Sequence, residues 1–503
     1  MMEHTNCDVA IVGLGPGGAT LGNLLGQAGV SVCVIEKEAS IYPLPRAIHF
    51  DGEVMRIFQS IGLREQVEEI SRPGLKGMHF VNAQNETLLI RGGTGLNGPH
   101  GCANNYYFHQ PELEVVLREG LNRFPNVSLY LEHEVVSVDP IDEVVTLLVN
   151  NKSSNTQKEI RAKYVIGCDG ARSFIRRVIN SGHIDLGLEQ PWLVFDILLN
   201  ENAPSLPDHT VQICDPARPM TFCNVTKNRR RFEIMLLPGD DSQKMTQENE
   251  LWKLVSKWIK PEQASIERAA IYTFHSIIAS GWRKNRLLLA GDACHQTTPF
   301  LGQGMCACIR DAANLAWKIV AVIQQKTSDE LLDTYEEERL PHVKAFIELA
   351  VKIGDLIQTT DPELAKVRNE QLLSDQPTIF QFPTPQLGPG FWRGTHPSLG
   401  TIFPQPQIQS HQRMDEEIGS NFAILTKNQE TAKKLNLSNL QLSFSNSWSE
   451  MQFVIVLTEN TQANDWLIEN DVNYVLIRPD RYIAALSANV ENFSNDLLNL
   501  FSN

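Results

Sequence analysis

The chain has 503 residues, a net charge of −15 and the hydrophobic and charged fractions of a globular protein with two or three domains. The acidic balance, with no basic run longer than residues 229–231, excludes nucleic acid as an expected partner. No stretch is apolar over the length that a bilayer requires, and the first residues lack a signal sequence, so no membrane association is expected.

A glycine motif follows the first predicted strand. The strand covers residues 8–12 and a predicted helix covers residues 19–28, with Gly-Leu-Gly-Pro-Gly-Gly between them. Gly13 permits a tight turn, Gly15 lets the backbone approach a pyrophosphate, and Gly18 lets helix and strand pack closely. The helix N-terminus offers free N–H groups and partial positive charge to phosphates. The motif therefore predicts a dinucleotide-binding unit.

The second predicted strand supports this interpretation. It covers residues 32–35 and leads to Glu36, whose carboxylate can bind the hydroxyl pair of a ribose. The strand–helix alternation then breaks: residues 75–108 have the pattern of short strands with long loops, and residues 190–275 are mostly strand-like. We interpret the latter as a sheet that covers the substrate. Within it, residues 229–231 are predicted to form a solvent-exposed strand end.

Two carboxylates lie where later strands are predicted to end. A buried strand over residues 164–167 leads to Asp169, and a strand over residues 287–290 leads to Asp292. Open α/β sheets bind ligands at the carboxyl ends of their strands, so Asp292 belongs to the predicted ligand site. The next segment opens a long helix, and its glycines free backbone N–H groups for a ligand. The expected ligand residues there are Pro299, Gly302, Gln303, Gly304 and Met305.

The chain from residue 396 onward is predicted to form a separate α/β unit. Strands near residues 422–425, 453–457 and 474–477 alternate with helices. The nine cysteines are scattered, none lies beyond Cys308, and none forms a Cys-x-x-Cys pair. This pattern predicts reduced thiols, a cytoplasmic location, no metal site and no redox work by the last unit.

These motifs together resemble the single-component flavoprotein aromatic hydroxylases, the para-hydroxybenzoate hydroxylase family, over about residues 7–350. The run Cys-Asp-Pro-Ala-Arg-Pro from Cys214 and the run Arg-Asp-Ala-Ala-Asn-Leu-Ala-Trp-Lys from Arg310 are similar to the 3-(3-hydroxyphenyl)propionate hydroxylase branch. The tail is similar to the thioredoxin-like domain of phenol hydroxylases. The resemblance implies FAD as cofactor, NADPH or NADH and dioxygen as co-substrates, and hydroxylation of a phenol through a flavin C4a-hydroperoxide.

The resemblance also implies roles for individual residues. Asp169 would serve both FAD and NADPH, and Asp292 would hold the ribityl chain. Arg46 would contact the FAD phosphates and Gln110 the flavin region. A surface guanidinium and a helix-capping amide remain the alternatives for these last two residues.

Activation of a phenol needs a base or a hydrogen-bond acceptor near the substrate hydroxyl. The candidates are His49, Tyr106, Tyr107 and His109, and Arg218 is the candidate partner of a substrate carboxylate. Core packing of the tyrosine pair, a histidine that neighbours a helix cap and a turn arginine remain open as structural alternatives.

The predicted fold class is α/β: a doubly wound FAD-binding domain, an interleaved β-rich substrate domain and a C-terminal thioredoxin-like α/β domain. The predicted limits are 1–180 and 276–395 for the FAD-binding domain, with substrate-sheet strands near 75–108, then 181–275 for the substrate sheet and 396–503 for the tail. The first-choice substrate is a 3-hydroxyphenylpropanoid acid. A bicyclic phenol, a quinolone or a polyketide is the alternative, and a non-catalytic flavin-binding protein is the rival function. The ring position, NADPH against NADH and a homodimer stay open.

Overall fold

The computed structural model describes residues 4–44, 46–92, 95, 98–141, 143–373, 378–380, 384–409, 412–445, 448–449, 451–459 and 461–502. These residues form two large sheets, smaller sheets and helices packed around them, which confirms the predicted α/β class. Among the described residues, no helix combines the length and the apolar character needed to cross a bilayer.

The first large sheet belongs to the nucleotide-binding unit. Its central strand, His4–Val12, pairs in parallel with Gln157–Gly167 on one side and with Val32–Glu36 on the other. Val9, Ala10 and Ile11 in that strand have no exposed surface, as expected for a parallel strand covered on both faces. The described strands of this sheet are Arg283–Lys284, Leu287–Leu289, Gln157–Gly167, His4–Val12, Val32–Glu36 and Val127–Leu131 in spatial order, extended by Val144–Asn151 and His133–Ile141.

The second large sheet is assembled from distant parts of the chain. Gly182–Leu199 pairs antiparallel with Ala264–Ser280, and Met78–Val81 pairs in parallel with Thr210–Ile213. A segment beyond residue 275 also joins it, because Thr378–Phe380 pairs with Thr87–Arg91. Its described strands in spatial order are His295–Gln296, Ala264–Ser280, Gly182–Leu199, Arg229–Met235, Met220–Asn224, Thr210–Ile213, Met78–Val81, Thr87–Arg91 and Thr378–Phe380.

A small sheet and the helices complete the first two units. The small sheet places His49 opposite Tyr107, because His49–Asp51 pairs with Asn105–Phe108, which also pairs with Ser71–Pro73. The α-helices of this part are Pro16–Gln27, Gly52–Ser60, Arg64–Ile70, Gln110–Leu121, Phe174–Ile179, Ser242–Met245, Glu248–Leu254, Gly304–Ile323, Thr334–Ile357 and Pro362–Leu372. Short 3₁₀ turns are Pro261–Gln263, Gly291–Ala293, Pro299–Leu301 and Asp329–Asp333.

The C-terminal unit has its own sheet and packs against the nucleotide-binding unit. The sheet order is Phe453–Leu457, Phe422–Thr426, Tyr474–Ile477 and Ile483–Ser487, with a two-stranded pair formed by Gln407–Gln409 and Gln412–Arg413. Trp317 of the helix Gly304–Ile323 packs into the aromatic cluster of the C-terminal unit. Arg56 of the nucleotide-binding unit pairs with Asp415 at 2.6 Å. Its helices are Met414–Ile418, Gln429–Leu435, Leu437–Gln441, Gln462–Glu469 and Val490–Phe501.

Candidate active site

A cavity of about 520 Å³ lies where the nucleotide-binding unit meets the second sheet. Gly15 and Asp292 line it from the nucleotide-binding unit, and Thr221 and Tyr272 line it from strands of the second sheet. Gly302, just before the helix Gly304–Ile323, lines another side of the cavity. Ligand sites in proteins have volumes of this order, so the cavity is the candidate site.

Each of the three glycines of the N-terminal motif is needed for a different structural reason. Gly13 has a φ of +104°, and a Cβ there would lie 2.3 Å from the carbonyl oxygen of Cys168. A Cβ on Gly18 would lie 2.1 Å from the carbonyl oxygen of Gly13. A Cβ on Gly15 would have nothing within 4 Å, because this residue faces the cavity. Gly13 and Gly18 thus serve the fold, and the open backbone at Gly15, beside the start of the helix Pro16–Gln27, fits the pyrophosphate of a dinucleotide.

Glu36 lies beside the same turn. Its Oε2 accepts a hydrogen bond of 2.8 Å from the N–H of Leu14, and its Oε1 accepts one of 3.0 Å from the N–H of Glu38. These bonds fix the carboxylate at the end of the strand Val32–Glu36, next to the glycine motif. Each carboxylate oxygen has a further lone pair, so the position fits a ribose hydroxyl pair.

Asp292 lies in the turn Gly291–Ala293 after the strand Leu287–Leu289, at the place that the sequence predicts. Its side chain is exposed and lines the cavity. The protein atoms packed around the cavity partly desolvate this carboxyl and raise its pKa, while the charges of His295 and Arg46 lower it. A carboxylate open to the cavity can accept hydrogen bonds from the hydroxyls of a ribityl chain, so Asp292 fits FAD.

Asp169 differs from the other expected ligand residues. Its Oδ2 accepts hydrogen bonds from the N–H groups of Phe174 at 2.6 Å and Ile175 at 3.2 Å, at the start of a short helix. The cavity is lined instead by its neighbours Cys168 and Gly170. Asp169 therefore braces the turn that borders the cavity through Oδ2, while its Oδ1 makes no hydrogen bond within the described residues.

The loop of residues 299–304, called the flavin loop below, closes the cavity opposite the second sheet. Pro299, Gly302, Gly304 and the following Met305 line the cavity. Gly302 has a φ of +64°, and a Cβ there would come within 2.8 Å of the Nδ1 of His49. The Gln303 side chain points away from the cavity and is buried against Asp51 and Arg310. The loop backbone thus meets the ligand, and Gln303 ties the loop to the protein.

Arg46 and Gln110 both line the cavity. Arg46 is exposed and its guanidinium lies 4.7 Å from the centre of the Tyr42 ring. Gln110 accepts a hydrogen bond from the N–H of Ala47 at 2.8 Å and donates one of 2.8 Å to Glu114. Arg46 is therefore placed to reach an anionic group, whereas Gln110 mainly orients the segment that carries Arg46.

Two of the candidates for phenol activation line the cavity. His49 Nε2 lies 2.9 Å from Asn105 Oδ1, and burial lowers the pKa of His49 to about 4, so the imidazole is neutral near pH 7. The Tyr107 hydroxyl accepts a hydrogen bond of 2.6 Å from Thr210, and burial raises its pKa. The His49 and Tyr107 rings meet edge to face at 6.0 Å. Both residues are in reach of a ligand in this cavity.

The structure places three other candidates away from the cavity lining. Tyr106 stacks on Phe50 at 5.1 Å because neighbouring residues of a strand point to opposite faces. His109 is buried just before the helix Gln110–Leu121. Arg218 lies outside the cavity lining and pairs with Asp240 at 2.6 Å, a contact that fits a structural turn arginine.

Three charged residues of the cavity wall, Arg91, Arg231 and Glu233, are not among the residues that the sequence predicts for the site. Arg91 donates a hydrogen bond of 2.6 Å to the carbonyl of Phe300, and burial lowers its pKa to about 10. Burial raises the pKa of Glu233, and Arg231, with Nη1 at 3.7 Å, opposes that rise.

The expectation of a solvent-exposed strand end at residues 229–231 is wrong for Arg231. This side chain is 2% exposed and pairs with Asp196 at 2.7 Å. The signal in the sequence is the spacing of two between Arg231 and Glu233, which puts both on one face of a strand.

Comparisons with known proteins agree with this geometry. Residues 6–350 match a family model described as FAD binding domain, and residues 400–499 match one described as HcaD C-terminal domain. The chain is 34% identical over 496 residues to a probable NADH-specific resorcinol 4-hydroxylase of Rhodococcus jostii, covering 95% of this chain and 92% of the relative. It is 32% identical over 526 residues to a 3-(3-hydroxy-phenyl)propionate/3-hydroxycinnamic acid hydroxylase of Klebsiella pneumoniae, covering 97% and 92%.

Two solved structures share the fold over nearly the whole chain. The flavin-dependent monooxygenase PieE, in complex with FAD and substrate, has a TM-score of 0.82 at 18% identity and covers 99% of both chains. Aklavinone-11 hydroxylase, in a ternary complex with FAD and aklavinone, has a TM-score of 0.81 at 20% identity with the same coverage. At these identities the likeness concerns the fold.

Proposed function

The chain belongs to the FAD-binding-domain family of FAD-dependent aromatic hydroxylases, and on this premise we propose that it hydroxylates a single-ring phenol with a polar group meta to the hydroxyl. As a member of that family it is a monooxygenase that consumes NAD(P)H and dioxygen. When bound, FAD supplies the redox chemistry that passes reducing equivalents from the nicotinamide to dioxygen. Gly15, Glu36, Arg46, Asp292 and the flavin loop would hold it.

Two observations support a small meta-substituted substrate. The two relatives are named for resorcinol and for 3-(3-hydroxyphenyl)propionate, and each of these phenols has its second substituent meta to a hydroxyl. The cavity of about 520 Å³ must hold the reactive part of the cofactor together with the substrate. This volume favours one ring over the bicyclic phenols, quinolones and polyketides that the sequence leaves as alternatives.

Arg91 supports an acidic side chain on that ring. It lies in the wall formed by the second sheet, is 7% exposed and lines the cavity. Its Nη1 donates a hydrogen bond of 2.6 Å to the carbonyl of Phe300, which holds the guanidinium at the cavity wall. A guanidinium that borders the cavity can bind a ligand carboxylate through a charge-assisted bidentate pair. We therefore place the carboxylate of a 3-hydroxyphenylpropanoid acid against Arg91.

The matched test compares 3-(3-hydroxyphenyl)propionate with its uncharged amide and with resorcinol. NADH oxidation and hydroxylated product should rise together with the acid, and NADPH is assayed in parallel. Arg91→Gln should lower kcat/KM for the acid about 10- to 100-fold, the equivalent of about 1.5–3 kcal/mol for a hydrogen bond to a charged group. The amide should lose far less. Arg218→Gln, outside the cavity, should leave the acid-to-amide ratio unchanged. Equal losses on both compounds would show that Arg91 does not contact the carboxylate, and no product from any phenol would refute the proposed substrate class.

Glu233 is the proton acceptor that the electrostatics favour. Its side chain is 14% exposed and lines the cavity. A raised pKa brings a carboxylate closer to the operating pH, which makes it a better base than His49, whose pKa is lowered to about 4. Glu233 would take the proton of the substrate hydroxyl, and neutral His49 would accept or donate a hydrogen bond.

Glu233→Gln should slow product formation about 100-fold without weakening FAD binding, because the amide keeps the shape and loses the base. In the wild type the carboxylate is the active form, so the rate should rise with pH through the raised pKa of Glu233 and then level off. The variant should lose this rise. Glu267→Gln, on another strand of the same sheet and paired with Arg229, is the control. A pH profile that is unchanged in Glu233→Gln would assign the base elsewhere.

The cellular setting is a proposal of the same kind. All nine cysteines are free thiols, which supports a reducing, cytoplasmic compartment. The charge of −15 supports a protein without a nucleic-acid partner. A homodimer is testable by light scattering of the purified FAD-loaded protein.

A further inference from the structure

A buried tyrosine of the C-terminal unit contacts the nucleotide-binding unit. Tyr482 is 5% exposed and lies just before the strand Ile483–Ser487. Its hydroxyl donates a hydrogen bond of 3.0 Å to Oε1 of Glu53, in the first turn of the helix Gly52–Ser60. The hydroxyl also lies 3.4 Å from Nε2 of His342. Tyr482 thus contacts a residue, Glu53, that lies 429 positions earlier in the chain.

The contact continues from Glu53 toward the flavin loop. Arg310 donates from Nε to the Oε2 of Glu53 at 2.5 Å and from Nη1 to the Oε1 of Gln303 at 2.9 Å. Asp51 accepts from Arg310 Nη2 at 2.5 Å and from the side-chain amide of Gln303 at 3.1 Å. Arg310 therefore links the glutamate that Tyr482 contacts to the glutamine of the flavin loop.

Gln303 lies in the chain between two residues that meet the ligand. Gly302 and Gly304 line the large cavity, whereas the Gln303 side chain is 1% exposed and is held by Asp51 and Arg310. The glycines have no side chains, so Gln303 provides the side-chain contact of this stretch, in addition to the backbone bonds from Gly302 N–H to Pro299 and from Ala307 N–H to Gln303. We therefore expect a shift of Arg310 to change the position of the backbone that lines the cavity.

The three side chains that connect Tyr482 to Arg310 also have space to move. Glu53, Arg310 and Tyr482 border a second cavity of about 380 Å³ between the two units. Side chains next to an open volume can adopt a second arrangement at lower cost than side chains in a close-packed core. Loss of one hydrogen bond in the group is therefore expected to change its geometry.

We propose that Tyr482 is a positioning residue for the flavin loop and acts through Glu53 and Arg310 on Gln303. This gives the C-terminal unit, which has no cysteine and hence no dithiol chemistry, a direct structural role in the reaction. The proposal rests on the proposed function only in that the loop borders FAD. It deepens that function by adding a residue from outside the nucleotide-binding unit to the support of the site.

The test is Tyr482→Phe in the full-length, FAD-loaded protein. Phenylalanine keeps the ring and removes the hydrogen bond. We expect a shifted visible absorption spectrum of the bound FAD and at least a twofold rise in the share of NADH consumed that ends as hydrogen peroxide. Tyr474→Phe is the matched control, since Tyr474 is a buried tyrosine of the same unit whose hydroxyl donates to the carbonyl of Thr431. It should change neither measurement.

A double variant separates positioning from a general loss of packing. If Tyr482 acts through the loop glutamine, Gln303→Ala combined with Tyr482→Phe should show no more uncoupling than Gln303→Ala alone. Additive effects, or a wild-type spectrum and peroxide share in Tyr482→Phe, would overturn the proposal. If Tyr482→Phe does not fold, Glu53→Gln takes its place with the same expected and contradicting results. A wild-type protein that binds no FAD would instead contradict the proposed function.

Discussion

Gly15→Val is expected to abolish FAD binding while the apoprotein stays folded. A Cβ at this position meets no atom within 4 Å, so the valine side chain enters the cavity where the pyrophosphate must lie. The backbone φ of −73° suits a β-branched residue. The purified variant should be colourless, have wild-type circular dichroism and show no FAD binding by fluorescence titration at concentrations that saturate the wild type.

The neighbouring glycines provide the control for this prediction. Gly18→Ala puts a methyl group 2.1 Å from the carbonyl oxygen of Gly13, and backbone atoms cannot rotate out of its way. This variant should lose both the fold and FAD, in contrast to Gly15→Val. Full FAD occupancy in Gly15→Val would contradict the assignment of the motif, and an unfolded Gly15→Val would contradict the open position of this residue.

The parts of the site that the sequence predicts are those encoded by short-range patterns. Gly13, Gly15 and Gly18 follow a strand directly, and Asp292 follows the strand Leu287–Leu289, so local order places them at one edge of a sheet. The substrate wall is different. Arg91 and Glu233 reach it because strands far apart in the chain are neighbours in the second sheet, and strand order cannot be deduced from alternation alone.

Tyr106 and Tyr107 show the same limit at the scale of one residue. The sequence offers both as candidates, but adjacent residues in a strand face opposite sides, and only Tyr107 lines the cavity. The choice depends on the pairing of Asn105–Phe108 with His49–Asp51, which brings Tyr107 opposite His49. Asp169 is a further case, since its motif is recognisable but the contact of its Oδ2 with a helix N-terminus is a feature of the tertiary structure.

Glu338→Gln is expected to weaken the docking of the C-terminal unit more than any other single charge removal discussed above. The Glu338 carboxylate accepts from Lys318 at 2.8 Å and from Arg478 at 2.8 and 2.9 Å, and all three side chains have no exposed surface. Phe391 N–H also donates to it at 2.7 Å. The substitution removes an ion-pair partner of buried Lys318, whereas Arg478 keeps Asp480 at 2.5 Å. Breaking a buried ion pair costs about 3–5 kcal/mol. The midpoint of urea unfolding should fall accordingly.

The pH dependence gives this prediction a second measurement. Burial by itself would raise the pKa of Glu338, but Arg478 and Lys318 hold it at about 2, below the 4.5 of a free glutamate. The stabilisation is thus complete above pH 4.5 and is lost as the pH falls toward 2. Wild-type stability should decline over this interval more steeply than that of Glu338→Gln. Glu337 is the exposed neighbour on the same helix, and Glu337→Gln should leave the free energy of unfolding within about 0.5 kcal/mol of the wild type. A Glu338→Gln midpoint equal to that of Glu337→Gln would show that the buried pair does not hold the two units together.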